Sequence, residues 1–312
     1  MSTCFLHSYN KIDFSGSKLH LHNKNYIIFH MSSINEINWF PGHMRKAINR
    51  IQEKLKQCDG VIEIGDARAP FSSFPDYLDK LTEGKVKVFV FSKVDLADSS
   101  ILQGQMDKMR EKGIEPFCYD LRDKKSGKEL LSYLASVRTS QDNRYLKLGF
   151  PLPIKRFIVL GIPNVGKSTF INSLAGKKKA AVENRPGKTR AEQLIHVSDK
   201  VYIFDAPGIL EPNYEDKTVI AKLALLGSVK QDILPLIALS DFLLDFLKTH
   251  YMDNLKDRFP VDYSLSDEEV FSQIAIKRNL LLPGGFADSE RARYLLLYEF
   301  RSGALGRISL DE

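Results

Sequence analysis

Gly161-Ile-Pro-Asn-Val-Gly-Lys-Ser168 decides the fold. The stretch follows an apolar run, Arg156-Phe-Ile-Val-Leu160, and opens a helical pattern from Ser168 to Ala175. A strand that enters a glycine-rich turn and leaves as a helix is the setting of a phosphate loop, G-x-x-x-x-G-K-[ST]. Glycine lets backbone N–H groups close around phosphate oxygens where a side chain would collide. Lys167 then supplies charge to the terminal phosphates and Ser168 offers a hydroxyl to magnesium. Asn164, Val165, Gly166 and Thr169 complete the nucleotide-binding turn.

Two features follow downstream. Asp205-Ala-Pro-Gly208 comes directly after the strand Val201–Phe204. A carboxylate at that strand end can hold magnesium through water, and Gly208 can present its N–H to a γ-phosphate. Between the two lies Arg185-Pro-Gly-Lys-Thr189-Arg190, where Thr189 can complete the magnesium shell and sense the γ-phosphate. The base reader lies upstream. Guanine presents a ring N1–H and an exocyclic amine, a donor pair that adenine lacks and a carboxylate accepts. Nothing after Gly208 matches N-K-x-D, but Ser92-Lys93-Val94-Asp95 ends the strand Val86–Phe91. The motifs are therefore in circularly permuted order. Ligands of such sheets bind at the carboxyl ends of the strands, and moving the chain break leaves those ends in place. Ser92 stands where asparagine is usual, so weaker guanine binding is expected.

The remaining sequence sets the frame. The 312 residues carry a formal net charge of +6, which fits RNA or an anionic membrane surface as partner and equally fits simple solubility charge. Cys4, Cys58 and Cys118 are scattered and form no C-x-x-C pair, which argues against zinc and disulfide frameworks. The richest apolar stretch, Ile233 to Leu247, is broken by Asp241 and Asp245, so no transmembrane helix is predicted. Strand and helix patterns alternate from Arg45 to Phe204 and predict a mostly parallel α/β sheet, with Arg138 to Pro153 as a charged linker. Helical spacing over Lys217–Lys230, Ile233–Leu247 and Arg291–Arg301, with loop sequence between, predicts a helical second domain. The expected organisation is a leader at 1–36, a GTPase domain at 37–212 and a helical domain at 213–312. The leader is Ser-rich with Asp13 as its one acid up to residue 35, which suits a transit peptide, yet it lacks Arg. A disordered leader, or a start at Met31, is the alternative.

The order S-K-V-D, phosphate loop, Pro-Gly-Lys-Thr, D-A-P-G resembles the circularly permuted GTPases of ribosome assembly. Asn38-Trp-Phe-Pro-Gly-His-Met44 and Asp66-Ala-Arg-Ala-Pro70 are similar to the RbgA (YlqF) type. Lys222-Leu-Ala-Leu-Leu-Gly227, Arg291-Ala-Arg-Tyr-Leu295 and Gly303-Ala-Leu-Gly-Arg-Ile-Ser309 are similar to its mitochondrial branch. The resemblance implies a GTPase that binds the maturing large ribosomal subunit and its rRNA and leaves after hydrolysis. For the mitochondrial branch it implies the mitoribosomal large subunit, met at the matrix side of the inner membrane by peripheral association. The family lacks a catalytic glutamine after D-x-x-G, and Ile209 stands there. It offers instead the histidine of W-F-P-G-H-M, here His43, to position water alongside Lys167 and Thr189. Packing at a helix start is the other reading of His43. The resemblance further implies Mg2+ at Ser168, Thr189 and Asp205, and K+ held partly by Asn164. Tyr119 and Asp120 occupy the place of the base-backing motif, and Lys277, Arg278, Arg291, Arg293, Arg301 and Arg307 form the expected RNA-facing set. Two further readings stay open: a nucleotide-regulated RNA- or protein-binding module with little turnover, and a nucleolar or cytosolic relative acting on another large subunit. Asp95 speaks against a P-loop ATPase or kinase.

Overall fold

The computed structural model describes residues 42–120, 122–176, 194–211, 214, 216–229 and 234–311. The leader and the Thr189 loop lie outside the described residues.

The described residues open on α1 (Gly42–Leu55), whose Ile48, Ile51 and Leu55 recur at helical spacing and are buried. Then follow β1 (Gly60–Asp66), α2 (Asp76–Leu81), β2 (Val86–Ser92), α3 (Ser99–Glu111), β3 (Phe117–Cys118), α4 (Lys124–Ser136) and α5 (Ser140–Lys147). The phosphate half comprises β4 (Lys155–Leu160), α6 (Lys167–Ala175), β5 (Leu194–Ser198) and β6 (Val201–Asp205). The rest is helical: α7 (Lys217–Leu225), α8 (Leu236–His250), α9 (Met252–Arg258), α10 (Asp267–Lys277) and α11 (Ser289–Ser302).

The six strands form one sheet in the order β3-β2-β1-β4-β6-β5, parallel except for the β5–β6 pair. The chain winds outward from β1 to β3, returns past β1 to β4, then crosses to the edge strand β5 and turns back to place β6 beside β4. The winding reverses between β1 and β4, and such reversals open a crevice at the carboxyl strand ends. The expected α/β sheet with permuted motifs and a helical C-terminal region is what the chain forms.

Three expectations are corrected. The stretch 138–153 is not a plain linker. Asp142 accepts from the Thr139 N–H at 2.7 Å in a capping box that starts α5, and its buried carboxylate also pairs with buried Lys155. The loop sequence after Tyr251 in fact contains α9 and α10, the latter started by a Ser266–Glu269 capping box. α7 ends earlier than its spacing implies, because Gly227 takes a left-handed φ of 76° just beyond it.

The helical region is not packed as a separate body. Buried residues from Ile62 and Val90 through Leu296 and Leu310 form one continuous apolar core. After α11 the chain runs back to the sheet. Leu305, Ile308 and Leu310 are buried, with Ser309 fully enclosed.

Candidate nucleotide site

The phosphate loop joins β4 to α6 at the centre of the sheet. Gly161 has φ 150°, and a Cβ there would meet the Ile64 carbonyl of β1 at 2.3 Å. Asn164 (φ 60°) and Gly166 (φ 92°) hold the left-handed turns that aim successive N–H groups inward. Lys167 is buried, and its ammonium donates to the carbonyls of Gly161 at 3.1 Å and Ile162 at 2.7 Å. Burial pulls its pKa down to about 8, and the nearby Asp205 carboxylate offsets only part of this. Val165 is buried beneath the turn, while Ser168 and Thr169 are exposed on its rim.

Asp205 closes the site from β6. Its Oδ2 accepts from Ser168 Oγ at 3.0 Å, while its buried Oδ1 has no hydrogen-bond partner. An unpartnered buried carboxylate oxygen is costly unless a cation or water meets it. Beside a hydroxyl, that donor set fits a hydrated divalent cation. Gly208 sits against the phosphate loop so tightly that a Cβ would lie 2.7 Å from Pro163 Cα. The next residue, Ile209, donates its N–H to Gly161 O at 3.2 Å and is buried with Ile48, Ile51 and Leu55 of α1. The place of a water-orienting glutamine is thus filled by a core side chain. α1, the helix that carries His43 in its first turn, shares that cluster. The His43 side chain lies outside the described set.

The base-reading turn approaches from β2. Ser92 is buried, with its Oγ 2.6 Å from Val165 O and 2.9 Å from Gly65 O. A hydroxyl in place of the usual amide therefore still ties this turn to the phosphate loop. Lys93, at φ 55°, turns its ammonium to Asp66 Oδ2 at 2.8 Å. Asp66 is fully buried and also takes a two-pronged bond from Arg68, Nε at 3.0 Å and NH2 at 2.9 Å. Burial alone would raise the Asp66 carboxyl, but Arg68 and Lys93 outweigh it and hold it below the usual carboxylate value. Asp95 is half-buried, 3.7 Å from the Arg122 guanidinium, which also grips Asp120 at 3.0 Å. Tyr119 serves packing: its hydroxyl bonds Ser173 Oγ at 2.8 Å, and its ring meets Phe170 edge-on.

Ser92, Lys93, Asp95, Asn164, Val165, Gly166, Lys167, Ser168, Thr169, Asp205 and Gly208 thus all lie at the carboxyl ends of β2, β4 and β6 or on α6. Motif spacing alone assigns the Asp66–Arg68 pair no role. Its signal was the buried-type strand running straight into a charged pair.

The expected RNA-facing set is only partly free to act. Arg293 is buried against Asp241, Ser240 and Glu268 and stacks on Phe271. Arg301 donates to the carbonyls of Ala224 and Leu225. Arg278 bonds Arg258 O and lies over Phe259, and Lys277 bonds Pro260 O. Arg291 and Arg307 are exposed.

The 50S ribosome-binding GTPase family matches residues 156–259. That match opens at β4, and the base-reading turn lies upstream of it, as the permutation requires. Ribosome biogenesis GTPase A of Priestia megaterium is 38% identical over 88% of this chain and 96% of its own length. Mitochondrial ribosome-associated GTPase 1 of Mus musculus is 32% identical over 88% of this chain and 89% of its own. The crystal structure of GNP-bound YlqF from T. maritima is 27% identical, covers 85% of this chain and 97% of that one, and superposes with a TM-score of 0.58. With permuted motifs gathered at the carboxyl ends of the strands and relatives matched along nearly their whole length, the chain belongs to the ribosome biogenesis GTPase A family.

Proposed function

We propose that this chain binds GTP, hydrolyses it to GDP and phosphate, and uses the cycle to bind and leave a maturing large ribosomal subunit. The observation that carries the reading is the Ser92 hydroxyl on the Val165 carbonyl at 2.6 Å, which fastens a guanine-type turn to a phosphate loop. Asp95 accepts the two guanine donors. Lys167 and the turn from Asn164 to Thr169 hold the phosphates. Ser168, Asp205 and Thr189 hold Mg2+, which when bound neutralises charge on the phosphate oxygens. Asn164 contributes to a K+ site. His43 positions the attacking water, since Ile209 cannot. Gly208, pressed against Pro163, presents its N–H to the γ-phosphate.

The particle is supported by the matched family of ribosome-binding GTPases and by the ribosome biogenesis GTPases that the chain resembles. The mouse relative supports a mitochondrial particle and site of action, with peripheral contact to the inner membrane as the finer reading. Among the described residues no helix is long and apolar enough to cross a membrane. The same reading keeps the leader at 1–36, the GTPase domain at 37–212 and the helical, rRNA-binding region at 213–312. Lys256, Lys277, Arg291 and Arg307 are among the basic residues there that are exposed to meet phosphates. Co-sedimentation with mitoribosomal and cytosolic large subunits, each with GTP analogue and with GDP, tests it. Tighter binding of the triphosphate form to the mitoribosomal particle is expected. Equal binding to both particles in both states would refute the coupling and the particle choice.

A further inference from the structure

The end of the chain grips the base-reading turn from outside. Leu96 N–H donates to Lys93 O at 3.0 Å and closes the turn around Asp95. Ile308 N–H donates to the other side of that turn, Leu96 O, at 3.0 Å. Asp98 N–H donates to the enclosed Ser309 hydroxyl at 3.1 Å. Gly303 lets Leu96 approach so closely that a Cβ would lie 2.6 Å from Leu96 Cδ2.

The neighbouring loop is held as firmly. Leu310 N–H donates to Arg68 O at 2.6 Å. Asp311 Oδ2 accepts from the N–H groups of Phe71 at 2.8 Å and Ser72 at 2.9 Å. Its Oδ1 accepts from Ser72 Oγ at 2.7 Å and from Lys222 Nζ at 2.8 Å. Arg68 in turn holds Asp66, and Asp66 holds Lys93.

We propose that residues 308–311 are positioning residues for guanine recognition, holding the turn that carries Lys93 and Asp95 in its binding geometry. This rests on the base-pocket reading above and adds a specificity element from a region otherwise read as an RNA surface. Neither Ser309 nor Asp311 touches the base. Ser309 acts through the Asp98 N–H just past the turn, and Asp311 through the N–H groups of Phe71 and Ser72 in the neighbouring loop. Without them the carboxylate of Asp95 loses its fixed height over the guanine edge, and the contact to the exocyclic amine suffers first.

Calorimetric titration of the full chain with GDP and with inosine diphosphate tests this, because inosine lacks only that amine. The wild-type chain is expected to prefer GDP. Asp311→Ala and Ser309→Ala should lower GDP affinity by about tenfold and move the preference toward unity, the scale of losing hydrogen bonds to a charged or buried partner. Asp311→Asn, which keeps an oxygen for the Phe71 and Ser72 N–H groups, should retain most of the preference. A general loss of structure would weaken both diphosphates alike and would not be rescued by asparagine. Ser309→Ala keeps the test decisive where Asp311→Ala does not fold. Folded variants with an unchanged preference would overturn the proposal. A wild-type chain that binds both diphosphates equally would overturn the base-pocket reading itself.

Discussion

Asn164, in the phosphate loop, donates its side-chain amide to the carbonyl of Gly227 at 2.6 Å. Gly227 follows α7, so one hydrogen bond joins the phosphate loop to the helical region. The bond is exposed, and its reach is short: rearranging the turn to wrap a γ-phosphate would stretch it or strengthen it. Amide exchange over residues 222–229 is therefore expected to differ between the GTP-analogue and GDP forms. In Asn164→Ala that difference should shrink. An undiminished difference in the variant would show that the contact carries no coupling.

Asp95 carries the base preference in this reading. Asp95→Asn should weaken GTP binding and improve binding of xanthosine triphosphate, whose extra carbonyl suits an amide donor. Competition between the two nucleotides measures this. A variant that keeps the wild-type order of affinities would remove Asp95 from the pocket.

Lys167 should make nucleotide affinity depend on pH. Its pKa in the structure is about 8, and bound phosphates would raise it. Below that value the side chain is charged with and without nucleotide, so affinity is flat. Above it, binding must take up a proton, and affinity falls as pH rises. GDP titrations across this range, with proton uptake read from buffers of different ionisation enthalpy, provide the check. No uptake on the alkaline side would mean that Lys167 does not meet the phosphates.

Glu63 is fully enclosed in β1, and burial pushes its carboxyl up to about 7 against partial relief from Lys87, 3.9 Å away. Its unfolded value is lower, so the native state binds the extra proton between the two. Stability from this group is full below the unfolded pKa and is lost as pH rises through 7. Glu63→Gln imitates the protonated form. It should flatten that slope and leave the variant more stable above neutrality by roughly 1–3 kcal/mol. Denaturant melts at acid and alkaline pH measure it, and an unchanged slope would place the pH dependence elsewhere.

His43→Ala separates binding from chemistry. If His43 positions water, turnover on the particle should drop by about 10²-fold or more with GTP affinity unchanged. Single-turnover hydrolysis with subunit-bound protein is the assay. Full activity in the variant would leave His43 as a residue that only starts α1.

The phosphate loop, the D-A-P-G turn and the permuted S-K-V-D were legible because each is local: a strand, a turn and fixed residue types. The sheet followed from their order, since parallel strands must share an end. α5, α9 and α10 were missed because their stop and start signals sit in polar, charged sequence that reads as loop until Asp142 or Glu269 is seen closing a capping box. Arg293 and Arg301 were misjudged for a related reason. A basic residue on a helix shows its charge in sequence, but its partners, Asp241 fifty-two positions away and the Ala224 carbonyl, are brought by tertiary packing. Ser92 reads in the sequence as the loss of an amide; the structure adds that its hydroxyl is buried between the carbonyls of Gly65 and Val165, partners that only tertiary packing brings.

The permuted sheet also sets an order of events in folding. Its central seam pairs Gly60 of β1 with Phe157 of β4. The seam therefore closes a loop of about a hundred residues before the crevice exists, an entropic cost that grows only slowly with length but slows non-local pairing. The half from β1 to β3 can assemble from local contacts while the phosphate strand is still unpaired. The permutation thus makes the nucleotide pocket a late product of folding: the guanine-reading strand precedes the phosphate loop in the chain, and the pocket is complete only when β4 lies beside β1 and residues 308–311 close on the turn.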